Sequence, residues 1–214
     1  MEKNKTLLES VTQKVEFKRK FSLWELYRAF IFAPRAILKF VGNNKNEVVD
    51  KQFIERLQLA VTEVTGCAVC SYQHTKMALK QGMSNEEISS FLSGDDSFIK
   101  PEEAKAILFA QHFADSSGFP KKYAYDSLIK EYGAKKARII LSAIQVVMIG
   151  NMYGIPLGAF LSRLKGNPYK DSTLFYELRM LLFGLLCFPI GFVHGILRGL
   201  IRLPNIWLDK STAE

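Results

Sequence analysis

The stretch ERLQLAVTEVTGCAVCSYQHTKMALKQGMSNEEI, residues 55–88, decides the fold. Running into it, Val49, Phe53, Leu57, Ala60, Val61 and Val64 recur at helical spacing, so residues 47–65 read as a helix with one face in the core. Gly66 weakens continuity just before Cys67 and marks a bend, and a second helix then runs to Gln81 and stops at Gly82. Ser84 to Glu87 reads as a capping box with Met83 and Ile88 as its hydrophobic staple, so a third helix starts at Asn85 and ends near Gly94. Cys67 falls in the first turn of the second helix. Cys67, Cys70 and His74 share one face of it, because steps of three and four residues return to the same angular position. Two thiols and a base then look at one small volume, an arrangement able to do thiol redox chemistry or to bind a metal.

Outward from this stretch the pattern stays helical. Residues 21–41 read as an amphipathic helix that Pro34 bends or ends, GNNKN at 42–46 as a break, and Asn46 as the cap of the next helix. Pro101 suits a first helical position, followed by glutamates that complement the helix dipole. A helix over 122–132 is stopped by Gly133, and the next, from about Ala134, buries Ala137, Ile140, Leu141, Ile144, Val147 and Met148 until Gly154 and Pro156 interrupt it. No segment alternates at period two, so the fold class is all-α.

The 214 residues suffice for one domain with extensions, and 48% hydrophobic against 23% charged residues excludes disorder throughout. The net charge of +8 is carried by the flanks. Residues 1–45 hold ten Lys/Arg against four Asp/Glu, 46–164 thirteen against thirteen, and 165–214 six against four. No zinc-finger, RNA-binding or helix-turn-helix pattern accompanies the basic flanks, so nucleic acid is not the expected partner. Basic residues mixed with Trp, Phe and Leu suit an anionic membrane surface, and a solvated basic arm is the competing reading. The start, MEKNKTLLESVTQKVEFKRK, is too polar and acidic for a secretory signal. The expected compartment is therefore the reducing cytoplasm, where three cysteines point to catalysis or metal rather than a structural framework.

Between Arg179 and Arg198 lie eighteen residues without a formal charge, MLLFGLLCFPIGFVHGIL, at the lower edge of a membrane span. Arg198 and Arg202 stand beyond the run, and Trp207 suits an interface. Pro189, Gly184, Gly191 and His194 inside it argue against a simple span. Residues 174–208 are expected to insert into or lie on a membrane, and a buried hairpin or subunit contact is the alternative.

Thiol chemistry needs a thiolate, and a helix N-terminus and a nearby proton acceptor both favour one. Cys67 has the first and Cys70, four residues before His74, the second. Neighbouring turns also bring the two sulfurs within bridging reach. With Glu55 twelve residues before Cys67, the set Glu55, Cys67, Cys70 and His74 strongly resembles the alkylhydroperoxidase D-like branch of the carboxymuconolactone decarboxylase family. The likeness extends through NMYGIPLGAF at 151–160 and covers about residues 46–165, leaving 1–45 as a basic amphipathic N-terminal extension and 166–214 as an apolar C-terminal helical extension.

The resemblance implies a helical bundle, usually a homo-oligomer, with peroxidase or disulfide-reductase activity. It makes Cys70 the nucleophile, Cys67 the resolving thiol, His74 the base and Glu55 the proton relay. The family's second histidine, just before the second cysteine, is here Val69. Lactone decarboxylation is not expected, because that branch lacks the CxxC. Glu63, one turn before Cys67, rivals Glu55, with a solvated helix charge as its plainer role. Zinc would want a fourth ligand, and no second CxxC or HxxxH supplies it, so no metal is expected. His112 and His194 read as packing or surface histidines and Cys187 as a small apolar residue. No NAD or flavin fingerprint is present, so no cofactor is expected and a thiol partner would supply electrons to a peroxide or disulfide substrate. A non-catalytic membrane-associated scaffold or redox sensor is the alternative function.

Overall fold

The computed structural model describes residues 7–8 and 18–211. Residues 1–6 and 9–17 of the expected basic extension, 1–45, therefore lie outside the described residues. Among the described residues the chain forms seven helices: α1 (Leu23–Asn46), α2 (Lys51–Thr65), α3 (Ala68–Lys80), α4 (Asn85–Ser93), α5 (Ala104–Asp115), α6 (Lys122–Leu164) and α7 (Leu174–Leu200). The only β pairing among them is an isolated bridge between Lys121 and Asp209. The all-α expectation holds.

Helix α2 is the axle, with α3, α4, α5 and α6 packed around it. Sequence periodicity predicts one buried face, yet 11 of its 15 residues are buried, Glu55, Arg56, Gln58, Thr62 and Thr65 included. Several of these polar side chains are paired on the inside, since an unpaired buried polar group costs about 1–3 kcal/mol. Arg56, 1% exposed, donates from Nε and NH2 to the two oxygens of Glu103 at 2.6 and 2.9 Å and from NH1 to Glu87 at 2.9 Å. Burial alone would lower the Arg56 pKa, but the carboxylates of Glu103 and Glu87 reverse this and raise it. Glu103 is thus a core ion-pair partner rather than a dipole partner, and α5 starts at Ala104, past the turn that holds Pro101. Glu87 is likewise spent on Arg56, so the Ser84 cap is made by the Ser84 hydroxyl accepting from the Glu87 amide at 3.0 Å.

Three prolines lie inside helices, Pro34 in α1, Pro156 in α6 and Pro189 in α7. Each removes one ladder bond, at a cost of about 3 kcal/mol. The sequence reading has Pro34 bend or end a helix over 21–41 and has Gly154 with Pro156 interrupt another; α1 runs through Pro34 to Asn46, past the expected break at 42–46, and α6 continues to Leu164. Pro34, Gly154 and Pro156 are all buried, and that packing holds the helices together across the defects. Because α1 continues through GNNKN, the cap of α2 is Asp50, which accepts from the Phe53 amide at 3.0 Å, and not Asn46. Asn43 braces the turn between them by pairing with both the N–H and the C=O of Val49. Gly133, with φ 71°, breaks α6 where the sequence separates two helices.

Helices α1 and α7 run parallel and in close contact. Gly184, Gly191, Gly195 and Gly199 of α7 face Leu26, Phe30, Ile31 and Arg35 of α1 in the same order. A Cβ at Gly195 would lie 2.1 Å from the Ile31 carbonyl, so the two backbones approach as only glycine permits. Residues 203–209 then fold back along α1. Asn205 donates to the Phe32 carbonyl and Gln145 of α6 donates to the Asn205 carbonyl. Trp207 stacks on Trp24 at 6.2 Å and meets Phe32 edge-on. Lys18 and Arg19 are ion-paired with Glu63 and Asp115, and Lys20 lies over the Tyr176 ring, so this end of the basic segment touches the domain while Lys18 and Lys20 stay exposed to solvent.

Candidate active site

The site is built where α2 ends and α3 begins. Gly66 closes α2 in the left-handed region at φ 73°, and a Cβ there would fall 2.4 Å from the Lys18 amide, so glycine is required twice over. The turn makes Cys67 the N-cap of α3, one position before the expected first turn, and its Sγ accepts from the Cys70 amide at 3.3 Å. Cys67 and Cys70 are joined as a disulfide, with Cα atoms 5.2 Å apart. Both cysteines are buried, Cys67 at 1% exposure and Cys70 at 8%, so Cys70 is the less covered residue of the pair. Ser71 Oγ donates to the Cys67 carbonyl at 3.0 Å and fixes the turn from behind.

One turn along α3, His74 Nδ1 meets Glu55 Oε2 of α2 at 3.2 Å. Glu55 is 2% exposed and also accepts from Gln81 Nε2 at 3.5 Å. Gln81 is itself anchored by Gln52, whose Nε2 donates to the Gln81 carbonyl at 2.8 Å. A carboxylate held this way fixes the orientation of the imidazole beside it. The two glutamate candidates are thereby distinguished by position: Glu55 faces His74, whereas Glu63 is ion-paired with Lys18 and lies against Gly94. His112 accepts from the Lys121 amide, His194 pairs with the Tyr27 hydroxyl, and Cys187 is a free, half-buried thiol on α7.

Sequence reasoning missed the wall opposite the sulfurs. A Cβ on Gly154 of α6 would lie 2.8 Å from the Sγ of both Cys67 and Cys70, so α6 presses its bare backbone on the disulfide. Gly158, one turn on, lies against Val69, the residue between the cysteines that is exposed by 36%. Two glycines four apart in an apolar helix signal close approach, and that spacing was legible as a contact rather than as a helix end. Asn151, fully buried on the same helix, donates to Thr65 Oγ1 at 2.8 Å and Thr62 Oγ1 at 3.2 Å and so locks α6 onto α2 beneath the site. Among the described residues, no group of three His, Cys, Asp or Glu side chains is arranged to hold a metal ion.

These features define an all-helical protein with a two-cysteine disulfide at a helix N-terminus and a carboxylate–imidazole pair one turn away. Residues 33–112, from within α1 to within α5 and including all four of these side chains, match the model of the Carboxymuconolactone decarboxylase family, and the paired Cys67 and Cys70 are consistent with its CxxC branch. No curated protein and no solved structure gave a match.

Proposed function

We propose that the chain is a thiol-dependent peroxidase and disulfide oxidoreductase with an antioxidant role. The observation that carries this reading is the Cys67–Cys70 disulfide at the start of α3 with the His74–Glu55 pair on the next turn. In the reduced protein His74 takes the Cys70 proton and Glu55 steadies the resulting imidazolium. The Cys70 thiolate attacks the outer oxygen of a hydroperoxide. The O–O bond breaks, the alcohol leaves with a proton and Cys70 becomes a sulfenic acid. Cys67 then attacks that sulfur, water leaves and the disulfide closes. A dithiol partner reduces it by exchange at the less covered Cys70, and Cys67 departs as a thiolate held by the Cys70 amide and the positive end of α3. No resident cofactor is needed for this cycle.

The test is a free-thiol count before and after one equivalent of peroxide. Wild type loses two thiols per chain, and Cys70→Ser loses peroxide consumption. Glu55→Gln and His74→Gln slow it by about 10²- to 10⁴-fold. Unchanged consumption in Cys70→Ser overturns the choice of nucleophile, and silence of both Cys67→Ser and Cys70→Ser overturns the enzyme. In that event the second reading, a membrane-associated scaffold or redox sensor, takes its place.

Among the described residues two helices are long and apolar enough to cross a membrane, α6 and α7. The apolar stretch of α6 is 72% buried and forms the core, whereas that of α7 is 22% buried. The reading therefore includes a cytoplasmic protein that rests on a membrane along α7, either as a single copy or as part of a homo-oligomer. Flotation of the full chain with vesicles tests this, and recovery in the vesicle-free fraction overturns it.

A further inference from the structure

The outward side of α7 is a continuous apolar surface. Leu182, Leu186, Val193 and Leu200, at seven- and four-residue steps, are 56–73% exposed, with Leu185 and Ile190 beside them. Their span of 19 residues is about 27 Å at helical rise. Basic residues stand at its ends, Arg179 at one and Arg198 and Arg202 at the other, and no Asp or Glu occurs between Arg179 and Arg202. Glu177, just before, is fully buried under Arg163 and offers no surface charge. A second copy laid on this face would bring arginine toward arginine with no carboxylate between, whereas a bilayer offers acyl chains for the middle and anionic headgroups for the ends. At the Arg198 end its guanidinium lies over the rings of Trp207 and Phe32, a pairing of aromatic rings and cation suited to a headgroup layer.

Midway along this surface a cleft opens between α1, α6 and α7. Phe30, Gly150, Tyr153, Gly184, Leu185 and Phe188 line it, and its volume is about 280 Å³. The one polar side-chain group among them, the Tyr153 hydroxyl, is engaged with the Leu181 carbonyl at 3.1 Å. An apolar lining with its one polar group already engaged suits a hydrocarbon chain. The α6 wall of the cleft is Gly150, with no atom within 4 Å of where its Cβ would stand. Gly154, which touches both sulfurs, is one turn further, about 6 Å along the same helix. The mouth of the cleft thus opens on a membrane-suited surface, and Gly150 in its wall stands one helical turn from the glycine that touches both sulfurs.

We infer that this cleft binds a fatty acyl chain drawn from a bilayer, and that the peroxide reduced by Cys70 is the hydroperoxide of such a chain. The substrate class rests on the thiol-peroxidase reading given above; the acyl site does not.

A palmitic acid bearing a diazirine, incorporated in phosphatidylcholine and phosphatidylglycerol vesicles with the full chain, tests the site by photolabelling and peptide mapping. Label is expected on the peptides of Tyr153 and Phe188, equally in wild type and in the Cys67→Ser/Cys70→Ser double variant, since binding needs no thiol. Gly150→Leu fills the cleft and is expected to reduce that label at least tenfold. Leu185→Gln, at a position 69% exposed and therefore tolerant, sets an amide at the mouth and is expected to do the same. Label confined to Leu182 or Leu200, label that both variants leave unchanged, or a dimer whose formation shields the cleft each overturns the site. For the substrate class, wild type oxidises its thiols at least tenfold faster with linoleic acid hydroperoxide than with hydrogen peroxide, and Leu185→Gln brings that ratio toward one. A wild-type ratio of one overturns the substrate class. Thiols inert to both peroxides overturn the peroxidase reading and with it the substrate class, while the labelling still decides the acyl site.

Discussion

Replacing Gly154 by alanine tests the geometry of the site at a single atom. The new Cβ would stand 2.8 Å from Cys67 Sγ and 2.8 Å from Cys70 Sγ. Neither sulfur can retreat while it is bonded to the other, since α3 fixes both Cα atoms, so α6 must shift or the pair must distort. Overpacking by one methyl in a filled interior costs about 1–3 kcal/mol. In the reduced protein each Sγ can turn about its own Cα–Cβ bond and release much of this contact. Alanine also favours helix over glycine by about 1 kcal/mol, but it does so equally in both redox forms and cancels from their difference. The penalty therefore falls on the disulfide form, and at about 30 mV per 1.4 kcal/mol for two electrons the reduction potential rises by about 20–65 mV. Equilibration against mixtures of reduced and oxidised dithiothreitol, with alkylation of free thiols, measures this directly. A potential unchanged within about 10 mV, with both redox forms losing stability equally, would refute the reasoning: α6 would then be yielding as a whole, and the sulfurs would not be pinned beneath it.

Two further perturbations address the frame that holds the site. Arg56→Ala leaves the buried Glu103 carboxylate and its neighbour Glu87 without their cation, and is expected to cost about 3–5 kcal/mol in urea unfolding; the triple replacement Arg56→Met, Glu87→Leu and Glu103→Met should cost less than that single change, and a loss below about 1 kcal/mol for Arg56→Ala would mean the triad is not the lock it looks to be. The Arg163 guanidinium, donating to both oxygens of Glu177 at 2.8 Å, and the Ser172 hydroxyl hold the Glu177 carboxyl below its ordinary value of 4.5. A depressed carboxyl contributes stability above that ordinary value and loses it as pH falls through the lower folded value. The urea midpoint of wild type should thus exceed that of Glu177→Gln at pH 7 and converge on it in acid below about pH 4, and a gap that stays constant down to pH 2.5 would contradict the ion pair.

Much of the site was legible because its logic is local. Cys67, Cys70 and His74 lie within eight residues on one helix, so spacing alone assigns them a common face. Glu55 belongs to another helix and was reached through the family resemblance, which supplied the interval; the structure adds that its carboxylate meets His74 while Glu63 turns to Lys18. Gly154 lies 84 residues beyond Cys70, and no local rule connects them. Arg56 and Glu103 were unreadable for the same reason, since a charged residue on a helix is a solvated charge unless a distant chain segment covers it.

Helix starts and stops divide along the same line. Glycine at Gly66 and Gly94, each closing a helix in the left-handed region, and serine at Ser84 act through their own backbones and nearest neighbours, and the sequence by itself determined those boundaries. Proline at 34 and 156 acts locally too, but its penalty of about 3 kcal/mol is small beside the packing of a buried helix, so only the tertiary structure decided that α1 and α6 run on. The all-helical class, the thiol pair and the apolar run of α7 are properties of composition and period, available before folding. Which side of α7 the protein covers, which carboxylate lies beside His74, and that a bare stretch of α6 lies on the disulfide are settled by contacts between segments far apart in sequence, and those exist only once the chain has packed.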